Sequence, residues 1–143
     1  MKSHLIEGFD YDLWANLQWV ECLPNLPFAD KAKEILHHIA KAQQIWVERS
    51  YGSGETPVLT DNLKENFQLT TTAWKELIDI CDPNAYVAYE REGVIHHQMI
   101  VDIARHVINH GTYHRGHLRG LCDAAGITNF PETDYIRYIR ETH

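Results

Sequence analysis

The chain has 143 residues, of which 44% are hydrophobic and 10% aromatic, and its formal net charge is −7 with neutral histidines. This length suits a single domain over residues 1–143, and the acidic balance disfavours a surface that binds nucleic-acid phosphates. No apolar run is long enough for a membrane span, and acidic residues among the first 25 positions argue against a signal peptide.

Apolar residues recur with helical spacing in three segments that precede the histidine-rich part of the chain. Helix 1 is predicted over residues 3–23, where Pro24 ends it, and helix 2 over residues 30–51. Helix 3 is predicted to begin at a cap formed by Thr60 or Asp61 and to end before residue 82. Asn16 falls on the apolar stripe of helix 1, which predicts a buried amide with a hydrogen-bond partner.

The remaining elements complete an all-α prediction with one small β feature. Residues 86–97 alternate as two short strands around Glu92-Gly93, which predicts a hairpin. Helix 4 is predicted over residues 99–125 and is closed by Gly126, and a short C-terminal helix follows Thr133-Asp134. Four long amphipathic helices predict an up-down-up-down four-helix bundle, with the hairpin in the long connection between helices 3 and 4.

Three cysteines lie far apart and lack the C-x-x-C spacing of redox and metal motifs. Each lies near the end of a predicted helix: Cys22, Cys81 and Cys122. We expect them to be buried thiols in a reducing cytoplasm rather than redox groups. The expected location of the protein is therefore the cytoplasm, with neither a membrane nor nucleic acid as a partner.

Four of the ten histidines lie within one short part of helix 4. His110 and His114 fall in the middle of its apolar stripe, His106 and His117 lie on the flank of that stripe, and Arg115 is predicted to project to the far side. Burying an imidazole in an apolar seam is unfavourable unless its nitrogens find partners. Metal ligation would supply them, whereas the alternative is a core histidine bonded to a carbonyl or to a carboxylate such as that of Asp102.

The length of a helical turn limits which histidines can share one ion. Histidines eight positions apart, such as His106 and His114, are separated by about 12 Å along the axis, whereas metal to nitrogen bonds are about 2.0 to 2.1 Å long. A single site must therefore take two ligands from helix 4 and a third from another helix. His38 is the histidine of helix 2 whose helical phase faces the predicted core, whereas His37 points to solvent.

Several segments resemble the DinB/YfiT-like family of proposed metalloenzymes. Residues 109–116, Asn-His-Gly-Thr-Tyr-His-Arg-Gly, are similar to the N-H-x-x-x-H-R-G signature of that family, and residues 36–46 resemble its helix 2 pattern. The resemblance implies a bundle that binds a divalent metal, zinc or nickel, and forms a homodimer. It implies His38, His110 and His114 as the metal ligands.

The resemblance also implies a class of chemistry. Some members are similar to transferases that use low-molecular-weight thiols such as bacillithiol, and others to isomerases that use mycothiol. The first interpretation is a metal-dependent thiol S-transferase, in which the metal activates the thiol of a small-molecule substrate. The alternatives are a metal-dependent hydrolase and a non-catalytic, metal-binding dimeric stress protein. No acidic residue stands beside the proposed ligands in the sequence, so no catalytic residue is assigned.

Overall fold

The computed structural model describes residues 1–51 and 56–143. Its elements are α1 (Lys2–Cys22), a 3₁₀ turn (Leu23–Asn25), α2 (Ala29–Tyr51), α3 (Leu63–Ile80), β1 (Tyr86–Arg91), β2 (Val94–Met99), α4 (Ile100–Ala124) and α5 (Tyr135–Thr142). The predicted all-α class, the hairpin between α3 and α4 and the short last helix are confirmed. Within the described part of the chain, no helix has both the length and the apolar character needed to cross a membrane.

Local sequence signals explain where the elements begin and end. The side chain of Asn62, rather than Thr60 or Asp61, caps α3 by accepting a hydrogen bond from the backbone N–H of Glu65 at 2.9 Å. The hairpin turn needs two left-handed residues, and it has Glu92 at φ 54° and Gly93 at φ 79°. The C-terminal end of α4 is followed by Gly126, which has φ 71°.

The directions of the helices differ from the predicted up-down-up-down order. On α1 and α3, Asp10 pairs with Lys75 while Lys2 bonds the carbonyl of Asp79, so these two helices are antiparallel. Helices α1 and α2 are also antiparallel, because Phe9 shares one core cluster with Val47 and Trp19 shares the other with Leu36. Helix α4 is parallel to α1, as shown by the contacts of Gly8 with Ile108 and of Asp12 with Arg115. The order is therefore up-down-down-up.

The difference arises because α2 and α3 are parallel. The end of α2 at Tyr51 and the start of α3 at Leu63 therefore lie at opposite ends of the bundle. Helix α2, with 23 residues, is about 34 Å long. Gln44 Nε2 donates a hydrogen bond to the carbonyl of Pro57 at 2.8 Å, which holds the described end of the connection against α2.

The core consists of two apolar clusters with a buried polar layer between them. One cluster surrounds Trp19, Leu36 and Phe67. The other is built around Phe9 and Trp74, whose stacked rings have centroids 5.0 Å apart. The layer between the clusters consists of buried polar side chains from all four long helices: Asp12, Asn16, Gln43, Thr70 and Arg115. This layer underlies the part of α4 that carries the histidines.

Candidate metal centre

The antiparallel pair of α2 and α4 brings three histidines together. His38 on α2 faces two successive turns of α4, from which His110 and His114 project. One ring nitrogen from each of the three lies within 4.8 Å of the other two, and Nε2 of His38 is 3.2 Å from Nε2 of His110. The structure therefore assembles the three residues named from the sequence, and their role as ligands stays a prediction.

The spacing and charge state of these rings fit a metal ion. Ligand nitrogens on a tetrahedral zinc with bonds of about 2.0 to 2.1 Å are about 3.3 Å apart, close to the observed separation of His38 and His110. Burial and the neighbouring His114, His38 and His106 lower the pKa of His110 to about 4. Burial, followed by His38 and His117, also lowers the pKa of His114. The lowered pKa values of His110 and His114 favour the neutral imidazole, which is the form that binds a metal ion.

The cluster opens to solvent and does not lie in the bundle core. His38 is exposed and lines a cleft of about 500 Å³ together with His37, His114 and His117. The predicted inward orientation of His38 is wrong. The buried face of α2 extends to the side of the helix away from His38, where its residues are Leu36, Ala40, Gln43 and Val47. His37, predicted to be solvated, is less exposed than His38.

The two flanking histidines of α4 lie outside the three-residue cluster. His106 packs edge-on against Trp46, with ring centroids 5.4 Å apart, and its ring centroid is 6.0 Å from that of His110. His117 lies on the other side and lines the open cleft. Each is thus a neighbour of the cluster. His106 lies on the side of Trp46 and the hairpin, and His117 lies on the side of the open cleft.

The residue that sequence reasoning missed is Arg115. Its predicted outward position is wrong: it is 3% exposed, and its Nη1 donates to Oδ1 of Asp12 at 2.6 Å and to Oδ1 of Asn16 at 2.7 Å. Asn16 Nδ2 and Gln43 Nε2 both donate to the other carboxylate oxygen of Asp12. The prediction that Asn16 is buried and hydrogen-bonded is confirmed.

A glycine in α4 makes room for this buried ion pair. A Cβ atom at Gly111 would lie 2.3 Å from Oδ1 of Asp12 and 2.9 Å from Nη1 of Arg115. The signature segment therefore has two faces, since His110 and His114 face the cleft whereas Gly111 and Arg115 face α1. The sequence carried a signal for the second face, because Gly111 and Arg115 have the same four-residue spacing as the two histidines.

The sequence is similar to a known protein over nearly its whole length. Protein DinB from Bacillus subtilis (strain 168) is 26% identical over 165 aligned positions, which cover 97% of this chain and 95% of the relative. This similarity supports the resemblance to DinB-like proteins that the sequence motifs indicated. No protein-family model matches it, and no solved structure matches it at a significant level. The three-histidine cluster is a feature of this chain's own structure and does not depend on the alignment.

Acidification is expected to destabilise the metal-free protein. The pKa of His110 is about 4 in the folded chain against an ordinary 6.5, so the unfolded chain takes up its proton first as the pH falls. The associated stability is complete above about pH 6.5 and is lost towards pH 4. Urea unfolding with a chelator at pH 7 and pH 5 measures this, and His110→Asn should show a smaller difference between the two pH values than the wild type.

The matched control for this experiment is His4→Asn, which removes an exposed imidazole near the start of α1. This variant should keep the wild-type difference between pH 7 and pH 5. If His110→Asn and His4→Asn show the same pH dependence as the wild type, the neutral state of His110 does not contribute to folding stability.

Proposed function

We propose that this DinB-like protein is a divalent-metal enzyme that transfers a low-molecular-weight thiol to an electrophilic small molecule. The observation that carries the proposal is the cluster of three ring nitrogens within 4.8 Å of one another, two of which, from His38 and His114, belong to residues that line an open cleft. Three imidazole ligands, which carry no negative charge, would leave the ion its full positive charge and an open coordination position, as expected of catalytic rather than structural sites.

The ion would supply one chemical effect, which is to lower the pKa of a thiol or water molecule bound at its open position. The acidity of the bound group favours the thiol. Among the described residues, no carboxylate joins the three histidines, and the carboxylate that lines the cleft, Glu34, lies outside the converging group. A thiol with a pKa of about 8.5 loses its proton far more readily than water with a pKa of about 15.7.

The protein's own contribution is to position the ligands and admit the substrate. The buried pair of Arg115 and Asp12 fixes α4 against α1, which holds His110 and His114 in place. His38 reaches the site from the exposed edge of α2, so a small molecule approaches through the cleft. The ion is proposed to be zinc or nickel, both of which imidazole suits. A homodimer in the cytoplasm completes the proposal.

A thiol transfer assay with a chromogenic electrophile tests the proposal. Metal-stripped and zinc- or nickel-loaded protein are each mixed with cysteine and 1-chloro-2,4-dinitrobenzene. Formation of the sulfur to carbon bond, with loss of chloride and a proton, is followed by absorbance. The loaded protein should react at least about tenfold faster, within the range of activation by a bound metal or positioned group.

Two variants test whether the transfer rate depends on the histidine cluster. His38→Ala should fall to the rate of the stripped protein, whereas His97→Ala, on the exposed face of the hairpin, should keep the full rate. Equal rates with and without metal would refute the transferase, even if the protein binds metal tightly. That outcome would leave a metal-binding protein without this activity.

A further inference from the structure

We propose that a second pocket, beside the histidine cluster, binds the ammonium group of a small amine substrate. This inference rests on the proposed function in one respect: the end of the substrate opposite the ammonium group carries the reacting thiol. The pocket has a volume of about 230 Å³ and lies between α2, the hairpin and the first turns of α4. Its lining includes Trp46, Tyr89, Gln98, Asp102 and His106.

The pocket adjoins the cluster through His106. This side chain lines the pocket, and its ring centroid is 6.0 Å from that of His110. Asp102, His106 and His110 follow one another at four-residue intervals, so they lie along one side of α4. A molecule bound against Asp102 and His106 therefore extends towards the cluster, and a stem that covers the two helical turns between Asp102 and His110, about 12 Å, brings its far end to the histidines.

The pocket offers hydrogen-bond acceptors for the head group of a ligand. Oε1 of Gln98 is buried and has no hydrogen-bond partner among the residues that the structure describes. Buried polar atoms are normally hydrogen-bonded, so this oxygen requires a donor. The carboxylate of Asp102 lines the same pocket and forms no ion pair within residues 1–51 and 56–143. A primary ammonium group, with three N–H donors and a positive charge, satisfies both.

The walls of the pocket suit a cation on a short apolar stem. Trp46 and Tyr89 meet edge to face with ring centroids 5.0 Å apart. The guanidinium of Arg49 already lies 4.6 Å above the ring of Trp46, which shows that a positive group packs against this aromatic surface. The register of the hairpin places Tyr89 and Gln98 on the same face, because Tyr89 pairs with His96 and Val87 with Gln98. Arg91, the cation of the pocket, is exposed at the end of β1.

The pocket is tested on metal-free protein with three thiol-free probes of equal chain length. Propylamine, propanol and propionate are titrated separately and their affinities are compared by chemical-shift perturbation. Propylamine should bind best, and Gln98→Leu and Asp102→Asn should each weaken it about tenfold, as expected for a hydrogen bond to a charged group. Glu90→Gln removes a carboxylate from the exposed face of the same hairpin and should leave the affinity for propylamine unchanged.

Preference for propionate, equal binding of propylamine and propanol, or unchanged propylamine affinity in both pocket variants would overturn the ammonium site. A second titration addresses the proposed function separately. On zinc-loaded protein, 6-aminohexane-1-thiol, whose stem is long enough to cover the two turns from Asp102 to His110, should bind more tightly than hexylamine, and His38→Ala should abolish that difference. If the metal-free result holds while the aminothiol gains nothing from zinc, the pocket stands and the thiol proposal fails.

Discussion

Asp12→Ala is expected to lower the free energy of unfolding by about 3 to 5 kcal/mol, the usual cost of removing one partner from a buried ion pair. Asp12 is fully buried, and the substitution leaves the guanidinium of Arg115 without its counter-charge. It also removes the acceptor of hydrogen bonds from Asn16 and Gln43. Urea unfolding followed by circular dichroism measures the loss.

Asp10→Ala is the matched control, because it makes the same change two residues earlier on α1. Asp10 pairs with Lys75 at the surface, where their side chains are 35% and 39% exposed, so its loss should cost about 1 kcal/mol or less. Replacing both members of the buried pair with apolar residues, as in Asp12→Leu with Arg115→Met, should cost less than Asp12→Ala alone. If Asp12→Ala is no more harmful than Asp10→Ala, the buried pair does not hold α4 against α1.

His38→Ala is expected to weaken zinc binding at least about 100-fold. Substituting groups that merely orient a metal ligand already costs 10- to 100-fold, and His38 would be one of only three protein ligands. Because His38 is exposed, its removal should leave the fold intact, so lost affinity cannot be attributed to unfolding. Competition with a chromogenic zinc chelator at pH 7 measures the affinity.

His37→Ala provides the control for this measurement, since it removes an imidazole from the neighbouring position on α2. His37 lines the cleft but lies outside the group of nitrogens that converge on one point. Its removal should change zinc affinity by less than about threefold, as expected for a contact outside the coordination sphere and weaker than an orienting bond. Similar losses in His37→Ala and His38→Ala would contradict the three-histidine assignment.

Local structure could be predicted well from the sequence because its signals are local. Apolar spacing and stop signals such as Pro24 and Gly126 predicted every long helix, and Glu92-Gly93 predicted the hairpin turn. The directions of α3 and α4 could not be predicted in the same way. An amphipathic stripe is the same whichever way a helix runs, and the contacts of Asp10 with Lys75 and of Asp12 with Arg115 join residues far apart in the chain.

The sequence named the three histidines that the structure brings together, and their role as ligands stays a prediction, whereas their surroundings could not be predicted. The four-residue spacing of His110 and His114 is a property of one helix and could be deduced directly. The expected inward orientation of His38 was wrong, because the packing of α2 against three other helices selects its buried face. Arg115 was misplaced for a related reason: a lone arginine suggests a solvated face, and its burial depends on the carboxylate of Asp12 across the bundle.

The zinc content of protein produced without a histidine tag tests the central claim most directly. The protein is dialysed to equilibrium against a small excess of zinc at pH 7, and bound metal is measured by plasma mass spectrometry. We predict one zinc ion per chain in the wild type and in His37→Ala. We predict far less than one in His38→Ala, His110→Ala and His114→Ala. Stoichiometric zinc in all three of these variants, or none in the wild type, would contradict the metal centre.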